Sequence, residues 1–177
     1  MIYYSSPFAD DKNLGKAYNK YMKPLQSGDW MVFTDLDACF FEAAHVRIIE
    51  EYIEKYPEAG IFTGRTNRIH PLATAQLYHE RPSGDFNFKH HSYTADKLAK
   101  GSREVTEITK EISGFLMVFS YDTWRAVGCF SESLQCLGVD NDFSLKVLNI
   151  KKIYCMDDVF VWHAYRIHDI NDKEHLL

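Results

Sequence analysis

Two carboxylates stand one residue apart directly after an apolar run. Asp35 and Asp37 follow Trp30-Met31-Val32-Phe33, a run typical of a strand covered on both faces. Because side chains alternate along an extended backbone, both acids are expected on one side, with Leu36 pointing away. Two hard oxygen ligands at a strand end suit Mg²⁺ or Mn²⁺, and the phosphates of a substrate would complete the coordination. The same acids could instead cap the turn into the next helix, and their spacing alone leaves both uses open.

The elements that would position these acids alternate between strands and helices. This alternation predicts a single-domain, three-layer α/β/α sandwich over residues 1–177, with a mostly parallel central sheet. Strands are expected at 2–5, 30–33, 59–63, 112–120, 153–156 and 159–162, and helices at 14–22, 43–56, 122–127 and 142–148.

The sequence also predicts the buried face of one helix and the extent of one long loop. Val46, Ile49, Ile53 and Tyr56 are predicted to form the buried face of the helix at 43–56. The stretch from 67 to 91 is predicted to be a long loop with one short helix at 72–79, and to place His90 and His91 on its surface.

Composition restricts the class of protein. The chain has 177 residues and a net charge of −5, and it lacks the basic stripe typical of nucleic-acid proteins. No apolar run approaches the roughly 20 residues of a membrane-spanning helix, and no signal peptide is evident, so a cytoplasmic location without a membrane span is expected. The four cysteines are scattered without zinc-ligand spacing, which predicts buried free thiols: Cys39, Cys129, Cys136 and Cys155.

Five segments occur in a recognisable order along the chain. They are Asn13-Leu14-Gly15-Lys16-Ala17-Tyr18-Asn19, the apolar strand ending in Asp35-Leu36-Asp37, the stretch from Ser113-Gly114 to Gly128-Cys129-Phe130, Asp140-Asn141-Asp142, and Val161-Trp162-His163. Together they resemble the glycosyltransferases of the A-type fold, particularly the family-2-like enzymes. The resemblance covers residues 12–65 and 112–166. It implies a nucleotide-diphospho-sugar transferase-like fold and one catalytic domain.

The resemblance also implies roles for particular residues. Asp35 would hold the ribose or sugar of the donor, and it belongs with Asp37 and His163 to the group around Mn²⁺ or Mg²⁺. Asp140 would be the general base toward the acceptor hydroxyl, with inversion at the sugar. Capping of a helix by Asp140 is the alternative, and capping would lower its pKa. The implied substrates are a UDP-sugar or GDP-sugar donor and a carbohydrate or other hydroxyl acceptor.

Further residues are expected to contact these substrates. Asp142 would position donor or acceptor, Gly114 would let the backbone approach the sugar closely, and Arg65, Arg68 and Arg166 would meet the diphosphate. The remaining substrate-binding candidates all precede the strand at 30–33: Pro7, Asp10, Asn13 and Lys16.

Two other readings of the sequence stay open. A haloacid-dehalogenase-like phosphohydrolase also has an acidic pair after an apolar strand. Asp35 would then be the nucleophile, and Asp157-Asp158 would imitate the last acidic motif. A sugar- or nucleotide-binding module of the same fold without turnover is the second alternative.

Overall fold

The computed structural model describes residues 1–79 and 86–165. The strands are β1 (Ile2–Ser5), β2 (Trp30–Thr34), β3 (Ala38–Phe40), β4 (Ile61–Thr66), β5 (Val105–Ile108), β6 (Leu116–Ser120) and β7 (Ile153–His163). The helices are α1 (Leu14–Met22), α2 (His45–Lys55), α3 (Phe88–Leu98), α4 (Tyr121–Ala126) and α5 (Val139–Leu148), and a 3₁₀ helix covers Pro71–Gln76.

Over the described ranges the strands form one mixed sheet. Their order is β1-β2-β6-β4-β7-β3, with β5 beside β7. β1 runs parallel to β2 with Ile2 opposite Trp30. β6 runs antiparallel to β2, with Val32 opposite Val118, and antiparallel to β4. β3 runs antiparallel to β7. The α/β class is therefore confirmed, whereas a mostly parallel sheet is not, since both neighbours of β6 run against it.

The backbone contacts divide the chain into two compact units. The first unit comprises 1–36, 58–63 and 107–154, and the second comprises 37–57, 64–106 and 155–177. In the first unit, five aromatic rings pack together in the core: Tyr18, Phe33, Phe119, Phe130 and Phe143. In the second unit the largest fully buried side chain is Tyr52 of α2. The strands β4 and β7 contribute residues to both units.

Several elements differ from those expected from the sequence. The late strands form one continuous strand, β7, and the short strands β3 and β5 were not expected. The predicted loop at 67–91 is wrong at its end, because α3 begins at Phe88 and buries His91. A 3₁₀ helix replaces the expected short helix, and residues 80–85 of that loop lie outside the described ranges.

The buried face of α2 and the cysteines also differ from expectation. The buried residues of α2 are Ile48, Ile49 and Tyr52, whereas Val46 is exposed. The three buried residues stand at i, i+1 and i+4 and therefore cover about one turn of the helix. The predicted face is spread over three turns, so it shares only Ile49 with the observed one. Among the cysteines, which are free thiols, only one is buried, Cys155; Cys39 and Cys136 are exposed and Cys129 is intermediate.

Candidate metal centre

Strand pairing in the second unit brings Asp37 to the end of β7. Ala38 lies opposite His163 in the antiparallel β3–β7 ladder, and the Ala164 N–H donates to the Asp37 carbonyl at 3.0 Å. This register places Asp37 Oδ1 3.4 Å from His163 Nε2. His163 is 2% exposed, while the side chain of Asp37 keeps 49% of its surface in solvent. The hydrogen bond from His163 lowers the pKa of Asp37.

The other ring nitrogen of His163 lies beside a backbone carbonyl. Nδ1 lies 3.1 Å from the carbonyl oxygen of Arg68, and a carbonyl oxygen only accepts hydrogen bonds. Nδ1 therefore suits a proton that is donated to this carbonyl. Nε2 faces the Asp37 carboxylate and suits either a proton donated to Asp37 or a lone pair offered to a cation. Asn67 holds the same strand end, since its Oδ1 accepts from the His163 N–H at 2.7 Å.

Asp35 completes a group of three ligand-type side chains. Its backbone N–H donates to the Phe115 carbonyl at 3.2 Å, which continues the β2–β6 pairing past Thr34. Asp35, Asp37 and His163 each offer one ligand atom, and these atoms lie within 4.8 Å of one another. Two carboxylate oxygens and an imidazole lone pair fit Mn²⁺ well and Mg²⁺ acceptably. The residues present therefore suit the metal that the sequence predicts.

Asp140 lies in the first unit and bonds to the turn before β6. Its Oδ2 accepts from the Gly114 N–H at 2.6 Å. Burial raises the pKa of Asp140, and backbone N–H donors including those of Gly114 and Asn141 oppose that rise, although part of the residue surface stays exposed. The N-cap position of α5 belongs to Gly138, so Asp140 does not cap the helix. The lower pKa that capping would have caused is therefore wrong for this residue.

Gly114 is needed for the position of Asp140. A Cβ added at Gly114 would lie 2.8 Å from the Asp140 Cβ and 3.1 Å from its Oδ2. Any larger side chain would push the carboxylate away from the Gly114 N–H. The sequence suggested a close approach to a sugar, whereas the contact that the structure shows is with Asp140.

Three of the polar residues predicted to bind substrate take part in local contacts. Asp142 pairs with Lys146 one turn along α5 at 2.7 Å. The Asn13 side chain accepts from the Lys16 N–H at 2.9 Å and so caps α1, and Lys16 Nζ pairs with Asp11 at 2.9 Å. In the N-terminal loop, Pro7 is buried and Asp10 is exposed.

The arginines predicted to meet a diphosphate differ in their surroundings. Arg65 pairs with Asp157 and donates to Thr106 Oγ1 at 2.7 Å. Arg68 is buried, and its Nε has no hydrogen-bond partner within the described ranges. Arg166 lies outside the described residues. The backbone carbonyl of Arg68 contacts the His163 ring.

The Asn13–Asn19 segment has a structural use that its sequence did not reveal. Asn19 is buried, and its Oδ1 accepts from Trp124 Nε1 at 2.9 Å and from the Phe130 N–H at 3.0 Å. Its Nδ2 donates to the Phe130 carbonyl at 3.0 Å. A Cβ on Gly15 would lie 2.0 Å from the Ser131 carbonyl oxygen. Two segments distant in sequence are thus parts of one packing arrangement in the first unit.

The fold is similar to that of glycosyltransferases with an A-type fold. Among solved structures, that of GalNAc-T7 with UDP, GalNAc and Mn²⁺ superposes with a TM-score of 0.59 at 15% sequence identity. The match covers 90% of this chain and 32% of that one, so the chain spans about a third of its structural neighbour. At this identity the likeness concerns the fold. No family model matches the sequence, and no curated protein does.

The helices of the described residues are short relative to a membrane crossing. Within residues 1–79 and 86–165, none is long and apolar enough to cross a membrane.

Proposed function

We propose that this protein is a metal-dependent glycosyltransferase that moves a sugar from a nucleoside-diphosphate sugar to an acceptor hydroxyl. The observation that carries the proposal is the group of Asp35, Asp37 and His163, in which His163 Nε2 lies 3.4 Å from the Asp37 carboxylate. The A-type fold gives this group its context.

In this proposal the metal group serves the leaving group of the reaction. A bound Mn²⁺ or Mg²⁺ would neutralise charge on the departing nucleoside diphosphate. Asp37 and His163 would hold the ion, and Asp35 would lie against the ion and the donor's ribose. The Arg68 carbonyl, 3.1 Å from Nδ1, would hold the His163 ring with Nε2 directed at the ion.

Asp140 is proposed as the general base. Its carboxylate takes the proton of the acceptor hydroxyl, the hydroxyl oxygen bonds to the anomeric carbon, and the bond from that carbon to the diphosphate oxygen breaks. The electron pair of the broken bond leaves with the nucleoside diphosphate, and a single displacement inverts the anomeric configuration. Because burial raises the pKa of Asp140, it accepts a proton more readily than an ordinary aspartate.

The remaining candidate residues would contact the donor or the acceptor. Arg68 would approach the diphosphate, and Asp142 and Gly114 would border the reacting sugars. Pro7 and Asp10 would lie near the nucleobase of the donor. Asn13 and Lys16, which follow them in the chain, would also contact the substrate. Arg65 is already paired with Asp157, which makes it a weaker candidate for the diphosphate.

The phosphohydrolase alternative is weakened by the surroundings of its acidic motif. Asp157 pairs with Arg65, and Asp158 pairs with Arg103 at 2.9 Å. Both acids lie within β7 and contribute to packing of the second unit. A metal-binding acidic motif would instead leave its carboxylates available to the cation.

The test is a calorimetric titration with UDP, GDP, CDP, TDP and UMP, each with Mn²⁺, with Mg²⁺ and with EDTA. We expect one diphosphate to bind only when metal is present. Asp37→Ala should abolish this binding, while Glu54→Ala, which removes an exposed carboxylate of α2, should leave it unchanged. If no nucleotide binds under any condition, the proposal is wrong, and phosphatase substrates with Asp35 as nucleophile become the next assay.

A binding module without turnover is distinguished by a second variant. Asp140→Asn should keep donor binding within about twofold and lose sugar transfer by a factor on the order of 10² or more. A wild-type protein that binds the donor but transfers no sugar to any acceptor would identify the non-catalytic alternative.

A further inference from the structure

A surface groove of about 470 Å³ runs along α3 in the second unit. Five of its six lining residues come from α3 itself, and Phe41, just after β3, forms its other side. The lining residues are Phe41, Phe88, Lys89, Ser92, Tyr93 and Asp96.

Helix α3 has two faces with different uses. His91, Thr94 and Ala95 form the buried face. The groove residues recur at i, i+1, i+4, i+5 and i+8 from Phe88, which places them on a second face of the same helix. The aromatic residues of that face are therefore not explained by packing of the core.

Two aromatic rings that line the groove are exposed, and one of them, Phe88, packs against other rings. Tyr93 is 69% exposed and Phe88 is 48% exposed. Phe88 packs edge-on against Trp162 at 5.3 Å between ring centroids and lies 5.8 Å from Phe41. Phe86, 56% exposed, packs on the same tryptophan at 6.0 Å. A supported ring that keeps an open surface loses little conformational freedom when a flat ligand covers it.

The polar groups of the groove favour a neutral ligand with many hydroxyl groups. Lys89 and Asp96 bring one positive and one negative charge, and Ser92 adds a hydroxyl. A hydrogen bond to Glu42 raises the pKa of Asp96. Lys89 and Asp96 lie about two turns apart on α3, and their charges cancel in sum, so the lining favours neither a phosphate-rich nor a strongly cationic ligand. Rings flanked by hydrogen-bonding groups match a pyranose, which has apolar C–H faces and a hydroxyl edge.

The groove lies a short length of chain from the metal group. Phe41 is four residues after Asp37, and three of the intervening positions form β3. At roughly 3.3 Å per extended residue, Asp37 and Phe41 are at most about 13 Å apart along the backbone. We propose that the groove of α3 binds a neutral oligosaccharide, and that this oligosaccharide is the acceptor. The binding stands on the groove alone, whereas the acceptor role rests on the proposed transferase function.

The test is an NMR titration of the full chain in EDTA, without nucleotide. The probes are maltotetraose, cellotetraose, xylotetraose and mannotetraose. We expect at least one to bind saturably and to shift the amide signals of α3. Tyr93→Ala should weaken that binding about five- to tenfold, while Tyr93→Phe, which keeps the ring, should stay within about twofold. Tyr21→Ala removes an exposed ring from α1, which contributes no residue to the groove lining, and should leave the oligosaccharide affinity unchanged.

Two outcomes would overturn the proposal. One is that none of the four oligosaccharides binds, or that Tyr93→Ala binds as well as wild type. The other is a dimer in sedimentation that Tyr93→Ala dissociates, which would make the groove an interface between copies of this chain. Nucleotide binding with Mn²⁺ should be unchanged in Tyr93→Ala, so failure of the donor site and failure of the groove are told apart.

Discussion

At the scale of single residues, the environment of Asp140 differs from that of a surface acid. Its carboxylate is held by the Gly114 N–H at 2.6 Å, yet burial still raises its pKa. Burial disfavours the charged form, and the backbone donors offset that effect only in part. The buried negative charge of Asp140 therefore lowers the stability of the folded protein, and this effect can be measured without any substrate.

The first prediction concerns that cost. Because the folded pKa of Asp140 is raised above the unfolded value of about 3.9, the folded state binds more protons in the interval between them. Stability from this residue is therefore lost as the pH rises through that interval and stays lost above it. Asp140→Asn is neutral and still accepts from Gly114, so we expect a higher melting temperature than wild type at pH 7.5 and no difference at pH 3. Differential scanning calorimetry at both pH values measures this.

The matched control is Asp122→Asn, which alters an exposed acid of α4. It should not raise the melting temperature at pH 7.5. Equal melting temperatures for wild type and Asp140→Asn at pH 7.5 would mean that burial does not penalise the charge of Asp140.

The sequence could show some of these residues and not others. Asp37 and His163 could be proposed together because acids after an apolar strand and a histidine at a strand end are visible in the sequence, and the structure places the two side chains side by side. The sequence did not indicate the Arg68 carbonyl, which contacts the His163 ring, or Asn67, which holds the backbone of His163. A backbone carbonyl carries no residue signature, and an asparagine looks the same whether it faces solvent or holds a strand end.

At the scale of elements, α1 is joined to the segment after α4 by one buried side chain. The Asn19 side chain accepts hydrogen bonds from Trp124 Nε1 and the Phe130 N–H, and it donates one to the Phe130 carbonyl. Asn19→Ala would leave these buried groups without partners. We expect a loss of about 3 kcal/mol in the free energy of unfolding, measured by urea denaturation.

The control for this prediction lies on the same helix. Asn13→Ala removes the partly exposed N-cap of α1 and should cost about 1 kcal/mol. If the two substitutions cost the same, the Asn19 contacts would not be the main link between α1 and the segment around Phe130.

The turn after α4 supports a third prediction. Cys129 adopts φ 70°, directly after Gly128 at φ 83°, and its N–H donates to the Trp124 carbonyl at 2.9 Å. A side chain in this left-handed conformation costs roughly 1 kcal/mol or more, which glycine avoids. We expect Cys129→Gly to be more stable than Cys129→Ala by about 1 kcal/mol in urea denaturation. Equal stabilities would show that the cysteine backbone is not strained.

Some elements could not be predicted because their sequences are not distinctive. β3 has three residues, too few for a period of two to appear. α3 is rich in His, Phe and Tyr and divides its apolar residues between the core and the groove, so no single hydrophobic stripe stands out. Strand direction is a further case. A buried strand such as β6 is apolar on both faces whether its neighbours run parallel or antiparallel.

At the scale of the whole molecule, the sequence indicated the class of fold better than its internal division. The order of five segments predicted an A-type fold, and the structure agrees at that level. A single domain over 1–177 remains a prediction, because the contacts divide into two units while β4 and β7 contribute residues to both. Contacts between segments distant in sequence decide such a division, and one sequence does not reveal them.

The last prediction uses the stability of the whole chain to detect the metal. A ligand that binds only the folded state stabilises it by about 2.7 kcal/mol at a hundred times its dissociation constant. We therefore expect Mn²⁺ to raise the melting temperature of wild type and EDTA to reverse the rise. Asp37→Asn keeps the size of a half-exposed side chain and removes one anionic ligand, so its melting temperature should respond weakly or not at all. The net charge of −5 allows weak binding of cations elsewhere, and Glu54→Gln controls for this by removing an exposed acid. If Asp37→Asn and Glu54→Gln respond to Mn²⁺ as wild type does, the ion binds away from Asp37, and the proposed metal centre is wrong.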